Sequence, residues 1–448
     1  MGEGRFNMSY EMIAILIFTS MMLMLLTGQR VFGAIGGVAT LFALMLWGKG
    51  AAEMPFNAAF ALLNWYPLLT LPLFIYMGYM FSESGIASDL YRMFHVWMGS
   101  TSGGLAIGTM GLMVAVSAMN GLSVAGMAIG ASLAMPEMLK RKYDKVMVTG
   151  VIQAGSSLGI MVPPSVVLVL YGMIARQPVG QLWMAGVFPG LLLAVLFIAY
   201  IYIRCRLQPH LGPALSKEEL AKITWGEKLR LLKAGIIPLV IIFAMTGLFL
   251  MGVTSLVQCS AAGATVTTLA ALAKGRLNRQ VLEETLKNTL SVSCMFMWVI
   301  LAALCFGAVF DGLGAVHAIK SLFIERWGLS PFGILVMMQL SYILMGMFLD
   351  DTAMLIIVAP LYVPLVIDLG YNPIWYGVLY TITCQIAYMT PPFGYNLFLM
   401  KAMAPKEVSL ADIYRSIVPF VLVMLLGLVI VMVFPEIALW LPDFYFGR

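Results

Sequence analysis

Two short proline-containing stretches, each inside a long apolar run, constrain the fold of this chain most strongly. They are segments 155–165 and 384–394, and each contains a pair of adjacent prolines. A proline pair cannot lie inside a helix without removing backbone hydrogen bonds. In lipid, each freed carbonyl or amide is costly unless protein, water or an ion satisfies it. Two such breaks therefore predict a polar binding site at membrane depth, as in transporters built from broken helices.

The two stretches belong to a longer internal repeat. Pro136 and Pro163 are 27 residues apart, and so are Pro364 and Pro391. A shift of 228 residues superposes the two pairs and also places Tyr143 on Tyr371. Several matches in one register indicate an internal duplication.

The composition places the chain in a membrane. Of its 448 residues 61% are hydrophobic and 10% are charged, with a mean hydropathy of +0.95, whereas soluble proteins are about 25% charged. The net charge of +5 comes from loop lysines and arginines and does not indicate a nucleic-acid surface. The five cysteines have no CxxC spacing and the three histidines have no metal-ligand spacing. The sequence also lacks a Walker A, HExxH or GxSxG motif, so we do not expect an enzyme.

The apolar runs predict an all-α polytopic membrane protein. We interpret segments 103–138 and 331–369 as re-entrant hairpins, although a broken span is an alternative for the first. Segments 146–175 and 372–401 are predicted to be broken spanning helices. The amphipathic segments 82–99 and 311–330 are too polar to span and are predicted to lie in the membrane interface.

This assignment leaves about ten transmembrane spans, five in each half. The halves are 1–203 and 234–448, joined by a basic linker at 204–233. An odd number of spans makes the repeats inverted and places every strongly basic loop on one side, the cytoplasmic side by the positive-inside rule. Both termini are then expected on the opposite side.

Oxygen-bearing residues gather near the two breaks. A hard cation such as Na⁺ takes oxygen ligands, so we predict ion sites there. The candidate metal ligands are Ser117, Asn120, Ser123, Gly155, Ser156, Pro163, Asp350, Asp351, Thr352, Thr383 and Thr390. Gly155 and Pro163 would contribute carbonyl oxygens. Carboxylates at membrane depth are usually functional, although the two aspartates fit a wet surface loop as an alternative. The alternative for each hydroxyl is a bond to its own helix backbone.

Other polar residues at the breaks are candidates for substrate binding. They are Ser157, Ser165, Gln385 and Asn396. The helix N-termini that follow the prolines favour an anionic substrate. The alternative for the two amides is helix packing. We expect both breaks to lie in one water-accessible cavity near the midplane of the bilayer.

These motifs resemble those of the large membrane subunit of a tripartite ATP-independent periplasmic (TRAP) transporter. The residues that carry the resemblance are 136–139, 155–159, 162–165, 347–350, 359–360 and 390–398. The first predicted hairpin tip, 117–123, has fewer serines and glycines than many relatives.

The resemblance implies a Na⁺-coupled elevator mechanism and no cofactor besides the coupling ion. It also implies two partners, a small four-helix membrane subunit and a periplasmic binding protein that delivers an organic acid, and a location in the bacterial inner membrane. A stand-alone Na⁺-coupled dicarboxylate or ion transporter of related hairpin architecture is the alternative. A membrane-embedded enzyme or assembly subunit is a more distant one, because we find no catalytic constellation.

Overall fold

The computed structural model describes residues 9–27, 29–48, 50–64, 66–121, 123–214, 224–314, 329–346, 351–391 and 394–447. Within these residues every regular element is helical, which confirms the predicted all-α class.

The helices of the first half follow the apolar runs of the sequence. They are α1 (Tyr10–Leu26), α2 (Val31–Phe42), α3 (Glu53–Leu63), α4 (Thr70–Glu83), α5 (Ile86–Met98), α6 (Gly104–Asn120), α7 (Ser123–Ile129), α8 (Met135–Lys140), α9 (Lys145–Ser157), α10 (Val166–Ile174) and α11 (Val179–Leu207).

The second half continues the same architecture. Its helices are α12 (Trp225–Leu250, with 3₁₀ and π turns inside it), α13 (Leu256–Ala273), α14 (Arg279–Gly312), α15 (Pro331–Gly346), α16 (Asp351–Asp368), α17 (Pro373–Tyr388), α18 (Tyr395–Met403), α19 (Leu410–Val433) and α20 (Glu436–Phe446).

Local chemistry explains where several helices begin. The Asp144 carboxylate accepts a hydrogen bond from the Met147 amide, 3.0 Å away, and so caps α9. Ser409 and Asp412 form a reciprocal capping box at the start of α19. These side chains satisfy amides that have no partner inside the helix.

Some of the described helices are long and apolar enough to cross a membrane. They are Val179–Leu207, Trp225–Leu250, Leu256–Ala273, Arg279–Phe310 and Leu410–Val433. Shorter apolar helices include Tyr10–Met24, Phe32–Trp47, Gly104–Met119 and Pro331–Gly346. The chain is thus a multi-pass membrane protein, while the number of about ten spans and their inverted orientation stay predictions.

The internal repeat appears in the helix bounds. Shifting α9 by 228 residues makes its first residue coincide with that of α17, and the same shift brings the start of α10 within one residue of the start of α18. Helices α6 and α15 correspond in the same way, as do α7 and α16.

The long helices outside the breaks pack through small residues. Helix α14 lies along α2, α3 and α4, and α13 lies along α4. A Cβ atom added at Gly36 would lie 3.2 Å from the Ala302 Cβ, so the backbones of α2 and α14 approach closely. In lipid the hydrophobic effect does not drive helices together, so they associate through close packing of their backbones at small residues.

The chain reverses between α6 and α8. The Thr109 hydroxyl donates to the Met138 sulfur at 3.6 Å, and the Tyr143 hydroxyl accepts from the Leu105 amide at 3.2 Å. In the second half, the Ser341 and Tyr362 hydroxyls lie 2.9 Å apart and join α15 to α16. Each predicted hairpin segment is therefore a pair of adjacent helical limbs.

The two halves exchange contacts reciprocally. Helix α7 packs on α18 of the other half, and α16, the repeat counterpart of α7, packs on α10. The Tyr171 hydroxyl of α10 donates to the Pro373 carbonyl at 2.7 Å, at the start of α17. This crossing brings both hairpins and both broken helices into one body.

The amphipathic helix α5 is attached to the start of α12. The Trp97 indole donates to the Lys228 carbonyl at 3.2 Å, and Arg92 pairs with Glu227 at 3.3 Å. Most of the second predicted interfacial segment, residues 315–328, and residues 215–223 of the predicted linker lie outside the described residues.

Candidate functional site

The first break follows from the chemistry of its proline pair. Helix α9 ends at Ser157, a 3₁₀ turn covers Leu158–Ile160, and non-helical backbone continues to Ser165, after which α10 begins at Val166. The Ser165 hydroxyl donates to the Ile160 carbonyl and accepts from the Leu168 amide at 3.1 Å. Ser165 thus caps α10 and also satisfies a carbonyl that the break frees.

The tip of the first hairpin lies directly on this break. Gly121 has a left-handed φ of +66°, and a Cβ atom there would overlap the Pro164 carbonyl oxygen. The Val166 amide donates to the Gly121 carbonyl at 3.4 Å. Only glycine combines this backbone conformation with such a close approach.

We expect Gly121→Ala to lower the thermal unfolding midpoint and reduce uptake about tenfold. The left-handed conformation costs a residue with a Cβ atom about 1–2 kcal/mol, and here overlap with Pro164 adds to that cost. Gly252→Ala is the matched control, because Gly252 has a φ of +71° and open space around its Cβ position. Equal losses in the two variants would show that strain alone matters and that the tip contact does not.

The second break repeats the arrangement. Helix α17 ends at Tyr388, and α18 begins at Tyr395. The Thr390 hydroxyl donates to the Ile386 carbonyl at 2.6 Å. At the end of α15, a Cβ atom on Gly346 would overlap the Ala387 Cβ. Each hairpin therefore contacts the broken helix of its own half.

Asn396 joins the two halves at the centre of the body. Its Oδ1 accepts a hydrogen bond from the Ser123 hydroxyl at 3.2 Å, and its Nδ2 donates to the Ser156 oxygen at 3.5 Å. All three side chains are buried. The Ser156 hydroxyl itself donates to the Gln153 carbonyl at 2.9 Å. The structure thus brings together three predicted residues that lie up to 273 positions apart in the chain.

Gln385 is fully buried, yet neither its Oε1 nor its Nε2 has a hydrogen-bond partner among the described residues. A buried amide without a partner costs about 1–3 kcal/mol. In the internal repeat, Gln385 corresponds to Ser157, whose hydroxyl donates to the Ala154 carbonyl at 2.8 Å. The two predicted substrate residues are therefore used differently: Ser157 bonds its own helix, and Gln385 has both amide atoms open.

The other candidates divide between the breaks and the hairpins. Thr383 donates to the Gln339 Oε1 at 2.6 Å and to the Leu379 carbonyl at 2.9 Å. Ser117 is buried in the last turn of α6. Gly155 faces Met113 of α6, where a Cβ atom would clash.

The positions of the remaining candidates are as follows. Pro163 lies inside the first break, Asn120 ends α6, Asp351 and Thr352 begin α16, and Asp350 lies outside the described residues.

The first break is buried in this conformation, whereas the second break is exposed at Pro391. Every residue from position 147 to 172 is buried, and so is every residue from 374 to 389. At the first break the expected water-accessible cavity is therefore not open here, because the tip of the first hairpin at Gly121 lies against Pro164.

Two glutamines were missed by the sequence interpretation. Gln339 holds Thr383 and leaves its Nε2 without a partner among the described residues, and the Gln153 Nε2 donates to the Ser416 hydroxyl at 3.1 Å. The available signal was an amide side chain inside an otherwise apolar helix, since such groups usually bond across helices.

Residues 18–437 match the family model described as tripartite ATP-independent periplasmic transporter, DctM component. The chain is 30% identical over 383 residues to the C4-dicarboxylate TRAP transporter large permease of Pseudomonas aeruginosa, covering 84% of this chain and 86% of that protein. It is 28% identical to the ectoine/5-hydroxyectoine TRAP transporter large permease of Ruegeria pomeroyi, covering 97% and 100%. The crystal structure of the Alcanivorax borkumensis YdaH transporter shares the fold, with a TM-score of 0.65 at 14% identity and coverage of 96% and 99%.

Proposed function

Because this chain belongs to the DctM component family of tripartite ATP-independent periplasmic transporters, we propose that it carries an organic acid across the bacterial inner membrane by Na⁺-coupled uptake. Its relatives are transporter permeases rather than enzymes. The observation that carries the proposal is the Asn396 bridge between the two halves, close in sequence to the buried amide of Gln385, which has no partner among the described residues.

The substrate would bind where the two broken helices meet. Gln385 offers one donor and one acceptor atom that the described protein does not use. Asn396 would adjust its bonds to Ser123 and Ser156 when substrate arrives. The starts of α10 and α18 present backbone amides and the positive end of the helix dipole, which favour a carboxylate. Ser157 and Ser165 would then shape the site through backbone bonds, because their hydroxyl protons already have partners.

Sodium ions would bind at the hairpin tips. The residues there supply hydroxyl and backbone carbonyl oxygens, and both suit a hard cation. Ser117, Ser123 and Ser156 would serve the first site, together with carbonyls of Gly155 and Pro163. Thr383, Thr390 and the start of α16 would serve the second. Bound Na⁺ would supply positive charge and draw each tip onto its break.

The body formed by the hairpins and broken helices would move as one unit against α2, α4, α13 and α14. Its reciprocal contacts, α7 on α18 and α10 on α16, support a rigid unit. Burial of the first break beneath the first hairpin tip supports an occluded state at that break. A small four-helix membrane subunit would pack with the helices that do not move, and a periplasmic binding protein would deliver the substrate.

Uptake by proteoliposomes tests this function. The permease, reconstituted with its small subunit, should take up a carboxylate only with an inward Na⁺ gradient and the cognate binding protein. Uptake without the binding protein would favour the stand-alone transporter instead. An uptake rate that is the same with and without the Na⁺ gradient would contradict Na⁺ coupling.

Substitution of the two carboxylates predicted at the second hairpin tip tests the ion site separately. Asp350→Asn keeps the shape of the side chain and removes its charge, so it should raise the Na⁺ concentration for half-maximal uptake about tenfold, or about 1.4 kcal/mol. We favour Asp350 over Asp351 because it completes the phenylalanine–leucine–aspartate pattern of the family. The measurement is uptake over a Na⁺ series for each single variant. If both variants keep the wild-type Na⁺ dependence, the two carboxylates have a structural role and do not bind Na⁺.

A further inference from the structure

A cavity of about 420 Å³ lies away from the two breaks, between the start of α9, the end of α11 and the first turns of α19. Two arginines line it, Arg204 from α11 and Arg415 from α19. Both are exposed. The transport site described above uses neither of them, so their shared cavity calls for a separate explanation.

The cavity has a net positive charge. Among the described lining residues the carboxylate is that of Asp144, which accepts a hydrogen bond from the Met147 amide and caps α9. The neighbouring Asp412 carboxylate pairs with Lys145 at 2.8 Å and with the Ser409 hydroxyl at 2.6 Å. These acids are held by other groups, and among the described residues neither pairs with Arg204 or Arg415, so the two guanidinium groups can bind an anion. Guanidinium groups bind phosphate oxygens in a bidentate manner.

Apart from Tyr200 and Ser416, the rest of the lining is apolar and leads outward. Val146, Val418 and Pro419 line the cavity beside the arginines. The side chain of Val418 is 56% exposed, and Leu422, one turn further along α19, is 61% exposed. Exposed aliphatic side chains on a membrane-spanning helix face acyl chains. An occupant of this cavity would therefore have an anionic head and an apolar tail.

We propose that this cavity binds the phosphate headgroup of an anionic phospholipid, with an acyl chain lying along α19 beside Val418 and Leu422. The shared chemistry is a phosphate held by Arg204 and Arg415. Basic pockets between membrane helices on the cytoplasmic side suit such headgroups, and the basic loops next to this cavity are predicted to be cytoplasmic. The lipid would connect the start of the first broken helix to the last long helix.

The test is the binding of a fluorescent phosphatidylglycerol to the purified full-length chain in detergent. Replacing both arginines (R204Q/R415Q) should weaken binding about thirtyfold, which corresponds to about 2 kcal/mol. The matched control is R206Q/K406Q, which removes two exposed positive charges outside the cavity and should bind like the wild type. The charge-preserving variant R204K/R415K keeps the electrostatic attraction but loses the bidentate geometry, so its affinity should lie between those of the wild type and R204Q/R415Q.

Competition separates the two sources of phosphate. Neither inorganic phosphate nor phosphatidylcholine should displace the fluorescent phosphatidylglycerol at concentrations where unlabelled phosphatidylglycerol does. Displacement by inorganic phosphate alone would assign the cavity to a free anion and overturn the lipid proposal. Equal loss of binding in R204Q/R415Q and R206Q/K406Q would reduce the effect to general surface charge and would also overturn it.

Discussion

Replacing Asn396 by alanine is expected to reduce uptake about thirtyfold at equal abundance in the membrane. The amide bonds Ser123 of the first hairpin and Ser156 of the first broken helix at the same time. Without it, two buried hydroxyls lose a partner, and each loss costs about 1–3 kcal/mol. A loss of about 2 kcal/mol in the transport cycle corresponds to the stated change in rate. The measurement is initial uptake in proteoliposomes, normalised to reconstituted protein.

Thr267→Val is the control for Asn396→Ala. Thr267 is equally buried, but its hydroxyl donates to the Gly263 carbonyl of its own helix, 2.8 Å away. Helix α13, which carries it, packs on α4 outside the breaks. We expect uptake within about twofold of the wild type, because such local bonds contribute little. Wild-type uptake in Asn396→Ala would show that the bridge between the halves is dispensable.

Several features of the fold could be predicted from the sequence because their cause is local. A proline pair removes backbone donors wherever it occurs, so both breaks were predictable from composition and spacing. The repeat offset of 228 residues predicted which helices correspond, and it correctly aligned α9 with α17. Asn396 was predicted either to bind substrate or to pack between helices; its bonds to Ser123 and Ser156 show the packing role, and substrate binding stays a prediction.

The use of each hydroxyl could not be predicted in the same way. Ser157, Ser165 and Thr390 all donate to nearby carbonyls of the chain, whereas Ser123 reaches across to the other half. A serine rotamer depends on the tertiary neighbours, and the sequence does not encode these locally. Gln339 was missed because its partner, Thr383, lies 44 residues away.

Solvent access was also beyond the reach of sequence patterns. The sequence predicts a polar site at the breaks, and the structure places polar side chains there, but the first break is buried beneath the tip of the first hairpin. Whether a site is open depends on the conformational state, and one sequence encodes every state of a transport cycle.

Gln385→Leu is expected to separate stability from transport. The buried amide has no partner among the described residues, and an apolar side chain of similar size removes that cost. The unfolding midpoint of the purified protein should therefore rise by about 2 °C, for a gain of about 1 kcal/mol. Uptake should fall about thirtyfold, because the substrate loses a donor and an acceptor inside a buried site.

The matched control is the same substitution at Gln153, which is also fully buried. Its Oε1 likewise has no partner among the described residues, but its Nε2 donates to the Thr149 carbonyl at 3.3 Å and to the Ser416 hydroxyl at 3.1 Å. Gln153→Leu breaks that bond between α9 and α19, so it should lower the unfolding midpoint, opposite in sign to Gln385→Leu. A lower midpoint in both variants would mean that Gln385 holds the fold together. Wild-type uptake in Gln385→Leu would show that Gln385 does not bind substrate. A higher unfolding midpoint together with lost uptake would show that the Gln385 amide serves to bind a ligand.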